Sequence, residues 1–156
     1  MKIRIIVVGK TKERFLQQGE AEFLKRLRRY IKYEIIVVRP VRIAAGINED
    51  SARHTEGERI LKKCDGNEWI VVLDSHGQQM SSEKFASFIR QRMNNGITTM
   101  TFIIGGTLGF AQNVLQRANI VLSLSCMTFT HEMTRLFLYE QIYRAFTILK
   151  GEKYHK

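Results

Sequence analysis

Apolar positions along the chain follow two alternating rhythms. Short unbroken runs, "IRIIVVG", "YEIIVVR", "EWIVVLD", "TMTFIIGG" and "NIVLSLS", predict strands over residues 3–9, 33–39, 68–74, 99–106 and 119–125. Between them the spacing becomes helical. Phe15, Phe23, Leu24, Leu27, Tyr30 and Ile31 predict a helix over 11–31, and Arg26, Arg28, Arg29 and Lys32 crowd its final turns, where cations suit the helix dipole. Residues 81–96 predict a second helix, with Ser81 as N-cap, Glu83 in the first turn and Gly96 past the end. Further helices are predicted over 111–118 and 131–150. Residues 41–47 read as a loop, and 48–64 as a polar stretch that is helical only in its second half.

Strands that read as continuous apolar runs and not as alternation, separated by helices, predict an α/β fold: a mostly parallel sheet with helices on both faces. No linker, repeat or low-complexity stretch divides the chain, so residues 1–156 read as a single domain. The last helix carries two apolar rows, Leu138, Ile142, Ala145, Leu149 and Leu136, Tyr139, Tyr143, Phe146. A helix on a monomer surface needs one stripe. Two rows call for burial on two sides, by the sheet and by either a homodimer partner or neighbours in the same chain.

Charge adds a second constraint. Of the formal net charge of +10, most lies in residues 1–45, which hold twelve Lys or Arg and four Glu. Residues 46–130 hold eight of each sign. A segregated basic excess suits a polyanionic partner such as nucleic acid better than it suits simple solubility. The opening run is too short for a membrane span or a secretory core. The two cysteines, Cys64 and Cys126, suggest no disulfide framework, so a cytoplasmic protein with reduced thiols is expected. The histidines and cysteines show no metal-ligand spacing, and no metal is expected.

In a parallel sheet, ligands collect beyond the C-terminal ends of the strands. Three such ends are unusual: "VLDSHG" (72–77), "IIGGTLG" (103–109) and "SLSCMTFTH" (123–131). The glycine turn departs from the dinucleotide-binding fingerprint in spacing and position, and it reads either as a tight connection or as a ligand cradle. The hydroxyl-rich loop beside it favours a flat heterocycle held by edge hydrogen bonds and apolar faces. Thr130 can cap the last helix, with His131 as its first residue. Asp74 has no carboxylate twin for paired acid–base work. Cys126 lacks a nucleophile's partners and reads as a small packing residue. Glu140 and Arg144 stand four apart, in the favourable order for a helix pair. The tail "KGEKYHK" either frays or folds its Tyr154 and His155 over a nucleotide.

Together "MKIRIIVVGK", "FIIGGTLGF" and "SLSCMTFTHEMTRLFLYEQIYRAFTILKGEKYHK" resemble the large-subunit ribosomal RNA methyltransferase H family, over the whole length and most specifically over 102–156. The resemblance implies a SPOUT-type fold with a C-terminal trefoil knot and a homodimer. It also implies S-adenosylmethionine as cofactor and N3 of a pseudouridine in 23S rRNA, on the assembled ribosome, as target. Carried over by motif, the cofactor meets Leu73, Gly105, Leu124, Ser125, Cys126, Met127, Thr128 and Phe129. His155 is the candidate base, Arg144 the cationic stabiliser and Tyr154 the stacking residue. Members of that family usually carry proline where Thr130 stands, and many carry a polar residue or histidine where Phe110 stands. Two competing readings need no such chemistry: a non-enzymatic RNA- or ribosome-binding module, and a flavodoxin-like nucleotide enzyme.

Overall fold

The structure, a computed structural model, describes residues 1–41 and 48–155, with the backbone alone at His155. The elements are β1 (Lys2–Val8), α1 (Arg14–Leu27), β2 (Lys32–Val38), α2 (Glu49–Leu61), β3 (Trp69–Gln79), α3 (Ser82–Asn94), β4 (Thr99–Ile104), α4 (Gln112–Arg117), β5 (Ile120–Ser123) and α5 (His131–Lys150). A short 3-10 turn, Lys153–His155, follows. The predicted loop over 41–47 lies, beyond Val41, outside the described residues.

The five strands form one sheet in the order β2-β1-β4-β3-β5, and every pairing is parallel. Alternate residues of each strand feed two cores, because successive side chains point to opposite faces. Ile3, Ile5 and Val7 of β1 pack with Leu27 of α1, Phe85 and Ile89 of α3, and Leu138 and Ile142 of α5. Ile6 and Val8 pack instead with Ile60 of α2 and Val114 of α4. Helices therefore cover both faces, as the unbroken apolar runs require.

Several boundaries differ from the sequence reading. α2 is helical from its first turn, because Asn48 caps it by accepting the Asp50 amide at 2.9 Å and two acids face the helix N-terminus. α1 begins at Arg14, since residues 11–13 are tied to α5, and it ends at Leu27 as the chain turns towards β2. β3 runs on to Gln79 instead of stopping at Asp74. After Leu73 pairs with Leu122, residues 74–77 bulge out, and Gln78 resumes pairing with the same Leu122. α5 lies between α1 and α3 on the sheet. Tyr143 meets Phe23 and Tyr30, and Phe146 stacks on Tyr30, with ring centroids 5.8–6.2 Å apart. Its second apolar row is thus covered within the chain and no longer argues for a partner.

At the N-terminal edge of the sheet a buried charge pair joins three strands. Arg4 donates to Glu68 at 3.1 Å, to Asp65 at 2.7 Å and to the Lys63 carbonyl at 2.8 Å. The Thr101 hydroxyl donates to the same Glu68 carboxylate. Burying such a pair is tolerable only because each charge has a close partner.

The bulge depends on Gly77. A Cβ there would lie 2.7 Å from the backbone atoms of Val121 and Leu122, which cannot yield as a side-chain tip could. Gly77→Ala is expected to destabilise the fold by roughly 1–3 kcal/mol through this overpacking, read as a lower urea midpoint than that of a Gly66→Ala control, where an added methyl meets nothing within 4 Å.

Candidate cofactor pocket

The C-terminal ends of β3, β4 and β5 open onto a cavity of about 620 Å³. Leu73 closes it from β3, Ile104 and Gly105 from β4, and Leu122 and Leu124 from β5 and its exit. Past Leu124 the chain cannot continue the sheet, because the Ser123 hydroxyl donates to the Ser125 carbonyl at 2.8 Å and the Ser125 hydroxyl accepts the Met127 amide at 2.9 Å. Those turns fold residues 125–130 over the cavity. Thr130 then caps α5 by accepting the Met133 amide at 3.2 Å, so His131 and Thr134 reach the cavity from the first turn of the helix.

Seven of the eight candidate cofactor residues, Leu73, Gly105, Leu124, Ser125, Met127, Thr128 and Phe129, line this cavity. Cys126 does not. It is exposed on the outside of the loop, where its Sγ accepts a hydrogen bond from Gln79 at 3.0 Å.

The candidate catalytic residues lie elsewhere. Arg144 and Tyr154 meet over Glu140: Arg144 Nε donates to Glu140 Oε1 at 2.8 Å, and the Tyr154 hydroxyl donates to the same oxygen at 3.1 Å. The guanidinium sits 4.7 Å from the Tyr154 ring centroid, and the Tyr143 ring stands 4.7 Å away edge-on. The tail is therefore folded back on α5. Burial, with Glu140 beside it, raises the Tyr154 phenol above its ordinary range. The His155 side chain lies outside what the structure describes. His131 at the cavity and Arg144 are thirteen residues apart on one helix, about 20 Å along its axis.

Several contributors were not among the candidate site residues. Phe110 packs its ring over Gly105, where a Cβ would lie 3.0–3.4 Å from ring atoms. Without that bare backbone the aromatic wall could not close. Asp74 and Ser75 enter from the β3 bulge, and Asp74 holds that bulge by accepting the His76 amide at 2.9 Å. Beneath the turn, buried Glu56 presents its carboxylate to Gly106, with Oε1 lacking a hydrogen-bond partner among the described residues. Burial raises the Glu56 carboxyl above the ordinary range, against the pull of the Val41 and Gly106 amides. Only long-range packing reveals such a residue; nothing in "HTEGERIL" marks it.

The family described as "Predicted SPOUT methyltransferase" matches residues 1–155. Proteins named ribosomal RNA large subunit methyltransferase H from Halothermothrix orenii and Symbiobacterium thermophilum are each 48% identical, over 100% of both chains. The protein of that name from Enterococcus faecalis is 45% identical, again over 100% of both chains. A solved structure of a probable methylase family protein from Haemophilus influenzae Rd KW20 superposes with a TM-score of 0.57 at 12% identity, covering 99% of this chain and 70% of that one. That likeness speaks to the fold.

Burial, then the nearby Arg135 charge, lowers the His131 pKa below 6.5, with Glu132 opposing. In the window beneath that value the unfolded chain binds more protons than the folded one, so stability falls as pH drops. Urea titrations between about pH 8 and about pH 5 are expected to show this loss in the wild type and a smaller loss in His131→Gln.

Proposed function

The chain belongs to the SPOUT methyltransferase family, and on that premise we propose that it transfers a methyl group from S-adenosylmethionine to N3 of a pseudouridine in 23S rRNA on the assembled ribosome. The family and the relatives named as ribosomal RNA large subunit methyltransferases make it an rRNA methyltransferase. That sets aside the non-enzymatic binding module and the flavodoxin-like alternative. The observation that supports the cofactor assignment is the convergence of three strand ends on one cavity of about 620 Å³, within the range of small-molecule sites.

The donor set suits that cofactor. Leu73, Leu122, Leu124 and Phe110 offer apolar faces for an adenine ring, and Gly105 leaves main chain bare for close approach. Loop amides, carbonyls and the Ser125 and Thr128 hydroxyls supply edge contacts. S-adenosylmethionine supplies, when bound, a methyl already activated on a sulfonium. What remains for the protein is alignment and management of the N3 proton. Arg144 would favour the deprotonated base, and His155 would accept the proton. Tyr154, whose raised pKa keeps it a neutral phenol at physiological pH, suits stacking on the base and not proton removal.

The distance between cavity and tail supports a homodimer. Arg144 stands too far along α5 to serve the cavity of its own chain, so the tail of one copy would complete the pocket of the other. Exposed apolar residues at the same end, Phe15, Met127 and Phe129, give a second copy something to cover. A trefoil knot formed by the C-terminal part of the chain, and a cytoplasmic location, belong to the same reading. Among the described residues no helix is long and apolar enough to cross a membrane, and no cluster could hold a metal ion.

Calorimetry is expected to show S-adenosylmethionine binding to the wild type and at least about tenfold weaker binding to Gly105→Val, equivalent to about 1.4 kcal/mol. Absence of heat with the wild type would overturn the pocket assignment. Deleting residues 153–156 is expected to abolish methyl transfer to ribosomes while leaving the thermal midpoint within a few degrees; full activity in the truncated protein would remove the tail from the mechanism.

A further inference from the structure

The loop that follows β1 is built on the far end of the chain. Arg135, 2% exposed, donates to the Val8 carbonyl at 2.5 Å and to the Thr11 hydroxyl at 3.1 Å. Glu132 accepts the amides of Lys12 and Glu13 at 3.0 and 3.3 Å. Thr11 donates onward to Glu20 at 2.6 Å, and the Gln17 amide donates to the Thr11 carbonyl at 2.8 Å. A guanidinium placed in a protein interior costs several kcal/mol of hydration. A loop that merely connected strand to helix would need no such fastening. Here the fastening joins residues 8–13 to the turn of α5 whose His131 and Thr134 line the cavity.

What the fastened loop presents outward is positive charge. Lys10, Lys12 and Arg14 are all exposed, and Arg39 is exposed just beyond the neighbouring strand. β1 and β2 end in register, with Val8 opposite Val38 and the Gly9 amide donating to the Val38 carbonyl at 2.8 Å. All four cations therefore stand at the edge of the sheet that holds the cavity. Among the described residues none of the four has an ion-pair partner. The carboxylates nearby are turned inward: Glu132 to the loop amides and Glu20 to Thr11. Burial pushes the Glu132 carboxyl up, but those amides, with His131 and Arg135, outweigh it and hold it ionised. Glu13 is the one exposed acid on this loop. Glu132 occupies the amides of Lys12 and Glu13, just ahead of α1, so those two do not face outward for an anion.

We propose that Lys10, Lys12, Arg14 and Arg39 form the docking surface for the phosphate backbone of the substrate RNA, held rigid beside the cavity by Arg135 and Glu132. This rests on the reading of the chain as an rRNA methyltransferase and specifies where its substrate is gripped. The denser basic cluster at the end of α1 differs in place and in engagement. Lys25, Arg28, Arg29 and Lys32 lie about 20 Å away, at the opposite end of a fourteen-residue helix. Two cations there are already occupied, Arg26 by Glu22 at 2.7 Å and Arg28 by the Tyr33 hydroxyl at 3.1 Å.

The test compares the variant Lys10→Gln, Lys12→Gln, Arg14→Gln, Arg39→Gln with a far-edge control, Lys25→Gln, Arg29→Gln, Lys32→Gln. Purified ribosomes lacking the methyl mark serve as substrate at several salt concentrations, and cofactor affinity is followed separately by calorimetry with S-adenosylmethionine. The near-edge variant is expected to raise KM for ribosomes by about tenfold or more, with kcat and cofactor affinity within about twofold of wild type. The slope of log kcat/KM against log salt should become shallower by about three, as phosphate contacts are lost. An unchanged KM and slope in the near-edge variant would overturn the proposal, as would a larger change in the control. If the wild type transfers no methyl to ribosomes or to naked rRNA, the underlying reading falls, and this surface with it.

Discussion

Parallel pairing between all neighbouring strands directs every strand's C-terminal end to the same edge of the sheet. The helices that return the chain must run the other way, so the N-termini of α1 and α5 arrive at that edge as well. Loops, helix caps and exposed charges are thereby concentrated on one side of the molecule. The opposite side receives strand starts and is sealed differently, by the Arg4–Glu68–Thr101 cluster. One edge is left for chemistry, and the other is spent on holding the sheet together.

Within that arrangement the cavity exists because main chain is brought close where side chains would normally intervene. Gly77 lets β3 press against β5 after its bulge, and Gly105 lets Phe110 lie flat on β4. The same economy appears beneath the turn, where Gly106 meets the Glu56 carboxylate. The cavity walls are thus backbone surfaces with a few aromatic and aliphatic covers. A site of that kind recognises shape and edge hydrogen bonds more than charge.

Much of this was legible in the sequence, and the parts that were not share a cause. The strands could be read because runs such as "IIVV" (5–8) and "FII" (102–104) are apolar at every position, as a sheet covered on both faces requires. Thr130 and the Glu140–Arg144 pair could be read because caps and i,i+4 pairs are local. The bulge after Leu73 was missed because Ser75 and His76 resemble an ordinary loop, and the pairing that resumes at Gln78 is made with residues more than forty positions away. Nothing local marks Arg135 and Glu132 as buried anchors, because their partners lie at residues 8–13. The second apolar row of α5 was ambiguous for the same reason: whether a neighbour in the chain or a second copy covers it depends on the order in which helices pack, which periodicity does not encode.

The two thiols differ in accessibility: Cys64 is half-buried and Cys126 is exposed. Burial, reinforced by Glu68, pushes the Cys64 thiol up to about 12, whereas Cys126 stands exposed on the outer lip of the loop that closes the cavity. A maleimide dye should therefore attach to Cys126 in preference to Cys64 without any engineering of the chain. A dye on that sulfur, one residue from the lining side chains of Ser125 and Met127, would report on the surroundings of the loop.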